Sequence, residues 1–509
     1  MAWGALIPLY VSLNFSAPRT GGGANRRSWV RSWLIGYTFG FVLFFVGAYW
    51  MLEIGSVPWV VLSLIEAAPF AAFAAISAAA FPRLPAAMRP WIFAALWVLL
   101  DAARSYGAYA FPWFILATTQ ARVPILLQIV DATGQWGLTF FIAAVNGLLG
   151  QAWLTKSDWR RAAPYTVAAG AILVVLAGYG GRQMVEVTSG DAALPRRTVG
   201  IAQGSLDKDA YNDEEGRIRS LRTYLNLTRD AVKAGGGLGD GISSAQSSVA
   251  FVVWPETVAP GVFSQDIPMQ NAMAMTARGL RTPLLAGVYD IDSQGRCWNS
   301  AVLYDRAGGL AGRYDKQQIV PIGEFFPLRG VLGKIYEQYG VPAKDLSSGT
   351  TTGTFTVERG EPDALRVGTI ICYESVFPRW PRECVRAGAS VIVLLTSDAT
   401  FGTTAGPIQH ADIAAVRAVE TGRWVVRAAS TGVSEFIDPA GRVRASLPLM
   451  RQDVLTYPVA VRDNETLYVR WGDWFLWWCC LIVAAGAIIA FRRHWSAAPE
   501  SAIEPASHP

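Results

Sequence analysis

Charge is scarce in this chain. Asp, Glu, Lys and Arg make up 16% of its 509 residues, against about 25% in ordinary soluble proteins, and 52% of the residues are apolar. The deficit is uneven: the chain up to about Gly181 is apolar and aromatic, residues 191–473 have the composition of a soluble domain, and a short apolar run and a polar tail follow. Cysteine is also sparse. Five are too few for a disulfide framework, and the odd number in the polar region (Cys297, Cys372, Cys384) leaves at least one thiol unpaired unless two chains are linked. There are three histidines, and His410 is the one within the polar region. No zinc-type Cys/His spacing, glycine-rich phosphate loop or internal repeat occurs, so neither a metal nor a nucleotide cofactor is expected. The start also lacks the basic segment and cleavage site of a signal peptide.

What is present is a set of long apolar runs. A spanning helix needs about 20 apolar residues, and residues 33–52, 57–81, 136–154 and 164–180 qualify, while 474–491 is slightly short but flanked by tryptophans, which favour the membrane–water boundary. Residues 91–103 are long enough only if the helix continues through Tyr109, with Asp101 and Arg104 facing the bundle; residues 2–15 are marginal. The net charge of +5 lies largely in short loops beside these runs, which suits membrane orientation and not nucleic-acid binding. Arg19, Arg26, Arg27 and Arg31 precede one span, Arg83 and Arg89 follow the next, Lys156, Arg160 and Arg161 separate two later ones, and Arg492 and Arg493 end the last. These clusters alternate as the positive-inside rule requires, which puts residues 182–473 on the outer side; Arg104 and Arg122 are mild exceptions. The expected division is a transmembrane bundle at 1–182, an extracytoplasmic domain at 183–473, a last span at 474–493 and a cytoplasmic tail at 494–509.

Within the polar region, a linker at 183–197 is expected, followed by short β-branched runs alternating with helical stretches. Strands are predicted at 198–203, 249–254, 284–289, 301–304, 367–373, 391–396 and 424–429, and helices at 213–234 and 408–421, an order that implies a layered α/β domain with buried sheets. Val252-Val-Trp-Pro-Glu-Thr257 sets Glu256 just past a buried strand, Gly368-Thr-Ile-Ile-Cys-Tyr-Glu-Ser375 sets Cys372 at the end of another, and Tyr314-Asp-Lys-Gln-Gln-Ile-Val-Pro-Ile-Gly-Glu-Phe-Phe-Pro327 carries Lys316 and Glu324 in a connection. Singly these have bland readings: a packed core thiol, a turn glutamate, a solvated lysine. Together, at strand ends, they are a nucleophile, a base and a cation able to meet at one rim.

The set and its order resemble the nitrilase (carbon–nitrogen hydrolase) superfamily, and with spans on both sides the chain resembles its apolipoprotein N-acyltransferase branch. The resemblance runs from about Trp33 to Arg493. It implies an αββα sandwich joined to a multi-pass membrane bundle, a Glu256–Lys316–Cys372 triad, and supporting roles for Glu324, Tyr373 and Glu374. Tyr211 stands where relatives carry an aromatic on a mobile loop, and Ala110-Phe-Pro-Trp113 resembles their outer membrane loop near a lipid entrance. The implied reaction moves the sn-1 acyl chain of a phospholipid, typically phosphatidylethanolamine, through a cysteine thioester to the α-amino group of an S-diacylglyceryl-cysteine apolipoprotein, in the bacterial inner membrane, by a monomer without cofactor. Two departures stand out. The branch usually has eight spans, so an upstream span is expected to be missing here, and its Asn-Asp-x-Trp-Phe stretch is Ser397-Asp-Ala-Thr-Phe401. The rival reading is a membrane-tethered amidase with water as acceptor. Glu66 and Asp101 have a reading as a lipid head-group path, over which a structural i,i+3 pair of Asp101 with Arg104 is favoured.

Overall fold

The computed structural model describes residues 2–16, 26–206, 213–236, 249–326, 329–330, 344–357 and 364–495. Tyr211 and the tail beyond 495 lie outside the described residues. Five helices among them are long and apolar enough to cross a membrane: Ser28–Gly47, Ser56–Arg83, Val130–Leu154, Trp159–Ala192 and Trp474–Arg493. Two shorter ones complete the bundle. Ile7–Ser16 buries Leu9, Tyr10 and Leu13, and Tyr10 donates to Gln151 Oε1 at 2.9 Å. Gly36 and Gly40 let the first two long helices approach closely, since a Cβ at Gly36 would lie 2.2 Å from the Phe70 carbonyl.

Arg89–Ala103 does not run on to Tyr109 as expected. The chain turns back after Arg104, whose guanidinium binds the carbonyls of Phe111 and Trp113 at 3.1 and 3.0 Å, Asp101 at 3.0 Å and Glu66 at 2.8 Å. These four acceptors, Glu66 from the neighbouring helix among them, satisfy the guanidinium where the helix ends. The favoured structural reading of Asp101 and Arg104 stands, with Glu66 in the same cluster.

The polar region is a two-sheet sandwich. Strands β1 (Arg196–Gln203), β2 (Val249–Val253), β3 (Ala259–Val262), β4 (Leu284–Ile291), β5 (Cys297–Tyr304) and β6 (Leu310–Asp315) form one sheet with β13 (Asp453–Ala460); β7 (Thr354–Val357), β8 (Leu365–Ile371), β9 (Val391–Thr396), β10 (Trp424–Ala429), β11 (Ser434–Ile437) and β12 (Val443–Leu447) form the other. The orders are β13-β1-β2-β4-β5-β6, with β3 beside β4, and β12-β11-β10-β9-β8-β7. Side chains alternate along each strand. Val391, Val393 and Leu395 of β9 meet Phe251 and Leu285 between the sheets, while Ile392 and Leu394 face outward into the core shared with the membrane helices. Helices Glu214–Ala234 and Ile267–Leu280 cover the first sheet, and Gly406–Thr421 with Arg379–Arg386 covers the second. The result is the expected αββα sandwich, with the bundle packed on the second helical layer.

The linker expected at 183–197 is instead helix as far as Ala192. Tyr179 and Gln183 both donate to Asp131, and Asp191 is buried against the Trp424 indole and Arg462, so contacts at both ends hold the polar extension straight. The carboxyl end of helix Arg26–Gly47 touches the sandwich: Gln409 donates to the Gly47 carbonyl at 3.1 Å and accepts from Trp50 at 3.0 Å. Cys297 and Cys384 are both free.

The Arg104 cluster yields a stability prediction. Arg104→Gln leaves two buried carboxylates facing each other without their cation, and the loss expected is about 3–5 kcal/mol. Adding Glu66→Gln restores part of it. Tryptophan-fluorescence unfolding in micelles reads both; a single variant as stable as the parent contradicts the assignment.

Candidate active site

The candidate residues sit where strands end. β2, β8 and β9 release Glu256, Cys372 and Ser397 at their carboxyl ends, and β6 delivers Lys316 across from them. Cys372 opens a 3₁₀ turn (Cys372–Val376) with φ of +50°, the left-handed region that non-glycine residues rarely occupy. The fold imposes this conformation through Glu374, which is fully buried. Its Oε2 accepts from Ile371 N at 2.7 Å, and its Oε1 accepts from the Tyr314 hydroxyl at 2.7 Å and from Gln317 N at 2.7 Å. One carboxylate thus ties the cysteine turn to the lysine segment. Burial raises the Glu374 pKa, against the pull of those bonds.

Lys316 Nζ donates to Glu324 Oε1 at 2.8 Å and to Glu256 Oε1 at 3.2 Å, and all three side chains are largely withdrawn from water. Burial lowers the lysine pKa, but Glu324 and Glu256 outweigh it and hold the ammonium well above its ordinary range. Asn299 reinforces both carboxylates, donating to Glu256 Oε1 at 2.8 Å and Glu324 Oε1 at 3.2 Å. Glu256 Oε2 receives Ser397 N at 2.8 Å. With two lone pairs per carboxylate oxygen, Oε1 is filled and Oε2 retains one acceptor position. A cavity of about 470 Å³ opens here, lined by Glu256, Tyr289, Arg217, Ser397 and Ser430.

The Cys372 thiol is pushed above the ordinary range by burial and by Glu256, with Lys316 pulling it back. His410 does not serve as its base. Its Nε2 lies 3.3 Å from the Cys372 carbonyl and 2.8 Å from the Ser375 hydroxyl, while Nδ1 faces Asp398 Oδ1 at 3.0 Å. Asp398 in turn accepts from Arg427 at 2.7 Å; burial would raise its pKa, but Arg427 and His410 hold it well below the usual carboxylate range. Asn299, Asp398, His410 and Arg427 thus buttress the site; of these the sequence had marked His410, as the one histidine that a Cys–His pair could use, and the structure gives it this supporting place instead. A second sequence signal was Asp398 in its retained place in the altered Ser397–Phe401 stretch.

Tyr373 points the other way. Its hydroxyl donates to the Ala110 carbonyl at 2.7 Å, and its ring packs on Phe377 and Phe111. The residue after the cysteine therefore holds the membrane loop. The structure brings Glu256, Lys316, Cys372, Glu324, Tyr373 and Glu374 together; Tyr211 lies outside the described residues.

The electrostatics predict how the thiol titrates. Because Glu256 raises the thiol pKa and Lys316 lowers it, Glu256→Gln shifts the pH profile of Cys372 alkylation downward and Lys316→Met shifts it upward. Iodoacetamide labelling followed by peptide mass spectrometry measures this. Shifts in the opposite sense mean that neither charge lies beside the sulfur.

Residues 198–465 match the family model described as carbon-nitrogen hydrolase, and residues 1–148 match that of the apolipoprotein N-acyltransferase N-terminal domain. Among curated relatives, the apolipoprotein N-acyltransferase of Geobacter metallireducens is 31% identical over 97% of this chain and 91% of its own. That of Azotobacter vinelandii is 28% identical over 98% of this chain and 92% of its own. A solved structure, the nitrilase-superfamily member Nit3 of Saccharomyces cerevisiae, aligns over 52% of this chain and 90% of its own, at 17% identity and a TM-score of 0.39. The chain belongs to the apolipoprotein N-acyltransferase family, and its residues 198–465 form a carbon–nitrogen hydrolase domain.

Proposed function

We propose that this chain transfers the sn-1 acyl group of a membrane phospholipid to the α-amino group of an S-diacylglyceryl-cysteine apolipoprotein, through a thioester on Cys372. The observation that carries this reading is the buried Glu256–Lys316–Glu324 cluster beside a cysteine held at φ +50°, with the next residue bonded to a membrane loop. Glu256 takes the thiol proton at the remaining acceptor position of Oε2, and sulfur attacks the ester carbonyl carbon. Lys316 has three N–H groups; two meet the glutamates, which leaves one for the oxyanion, alongside backbone N–H groups near Cys372. As the C–O bond breaks, Glu256 returns the proton to the lysophospholipid oxygen. The amine then attacks the thioester, Glu256 removes its proton, and the C–S bond breaks to give an amide and the thiol. Glu324 holds Lys316, Glu374 holds the turn, and Tyr373 holds the bilayer loop; Tyr211 is assigned to the substrate side.

The membrane helices support a lipid donor. Each methylene drawn from lipid into water costs about 0.8 kcal/mol, so a long acyl chain stays in the bilayer and the site must come to it. Phosphatidylethanolamine is the expected donor, and the enzyme is expected to work as a monomer. The alternation of basic clusters along the sequence supports placing it on the periplasmic face of the inner membrane, with 1–182 as the bundle, 183–473 as the catalytic domain and 474–493 as the closing span.

Intact-protein mass spectrometry tests the thioester. Wild type incubated with phosphatidylethanolamine alone is expected to gain one acyl-sized adduct, discharged by a diacylglyceryl lipopeptide, while Cys372→Ala gains none. An adduct that water removes as fast as the lipopeptide favours an amidase-type hydrolase. Lys316→Met is expected to slow adduct formation by about 10²–10³-fold, as for loss of an oxyanion donor.

A further inference from the structure

The cavity of about 470 Å³ beside Glu256 has the size of a ligand pocket, about 300–1,000 Å³. Its two ends differ in charge. Glu256 lines it and is 6% exposed, so the carboxylate lies at the inner end, next to Ser397, whose N–H meets Oε2 at 2.8 Å. That end adjoins the nucleophile: Leu395 pairs with Ile371, so Thr396 and Cys372 are neighbouring strand ends, about 4.8 Å apart across the sheet, and Ser397 follows directly. Arg217 also lines the cavity but is exposed, and it forms no ion pair among the described residues. Glu256 and Arg217 are the charged side chains among the described residues of the wall. Hydroxyls of Thr257, Ser397, Thr400 and Ser430 lie between them, a lining for a polar chain and not for an acyl chain. Arg217 stands in helix Glu214–Ala234, over the first sheet, where the core contains no residue of the membrane helices, whereas the bundle packs on the layer over the second. The cavity thus leads from the catalytic rim toward the layer where a lipid tail has nothing to lie in.

A carboxylate within and an unpaired cation outside are complementary to a chain that enters amine first and carries a negative charge a few residues behind. We infer that this cavity takes the first residues of the acceptor polypeptide, with the amine at Glu256 and an acidic side chain at the second or third position against Arg217. A round cavity of this volume is about 10 Å across, and an extended chain advances about 3.3–3.6 Å per residue, which fits that spacing. The assignment rests on the proposed acyl transfer and adds the class of acceptor that this chain prefers. Arg217 is exposed, so its effect is that of a surface ion pair, up to about five-fold. It selects among acceptors and takes no part in the chemistry.

Discharge of the loaded enzyme tests it. The full chain, in micelles of an uncharged detergent, is first acylated with phosphatidylethanolamine. It is then mixed with diacylglyceryl lipopeptides that carry Asp-Asp, Ser-Ser or Lys-Lys directly after the cysteine, and loss of the adduct is timed by intact-protein mass spectrometry. Because timing starts from loaded enzyme, the rate of loading does not enter. Wild type is expected to discharge fastest to the Asp-Asp peptide and slowest to Lys-Lys, with about five-fold between them. Arg217→Ala levels the three, and Arg217→Glu reverses the order. About 1 M salt, where the screening length is about 3 Å, erases the difference in wild type. Equal discharge to all three peptides by wild type, or an order that persists in Arg217→Glu, overturns the assignment while leaving acyl transfer in place. Failure of wild type to form any adduct removes the acyl transfer itself, and the assignment with it.

Discussion

Lys316 carries its charge inside the protein because Glu256 and Glu324 meet it there, at 3.2 and 2.8 Å. An isolated ammonium at this depth would give up its proton. The partnership fixes more than the lysine. It holds Glu256 with one oxygen spent and the other half free, and Asn299 and the Ser397 backbone complete that orientation. The rest of the sandwich supports the arrangement by bringing three strand ends and one connection to a single rim. Glu374 then joins the cysteine turn to the lysine segment, accepting from Ile371 N on one side and Gln317 N on the other.

A second constraint couples that rim to the bilayer. Tyr373 holds the Ala110 carbonyl, and the loop it touches is fixed from beneath by Arg104 through the Phe111 and Trp113 carbonyls. Arg104 is itself neutralised by Glu66 and Asp101. A chain of short contacts therefore runs from ionised groups in the bundle to the residue after Cys372. For a family whose curated members are named for acylating apolipoproteins, this supplies a physical reason to fuse a hydrolase-type domain to a bundle: each holds part of the other's shape.

Much of this was legible in the sequence, and the limits have physical causes. Long apolar runs disclose spans because the bilayer imposes a length, and β8 and β9 disclose themselves because both faces are buried. Cys372 and Glu256 are visible because each follows such a strand. The short β3 and β7, the edge strand β12 and the half-exposed β6 carry no clear alternation. Helix Trp159–Ala192 outlasts its apolar part because Asp131 holds its Tyr179, and Trp424 and Arg462, far along the chain, hold its Asp191. The Asp398–His410–Arg427 support also joins separate elements, β10 among them, and local periodicity says nothing about which of several buried polar residues will meet.

The central claim is that one thiol serves two substrates in turn, with the acyl group held covalently between them. Initial-rate kinetics in mixed micelles, varying phosphatidylethanolamine at several fixed concentrations of a diacylglyceryl lipopeptide, tests this most directly. The account predicts parallel lines in double-reciprocal form, the signature of a ping-pong reaction. Lines that intersect would mean that both substrates must be bound before any bond breaks, which contradicts a free thioester enzyme.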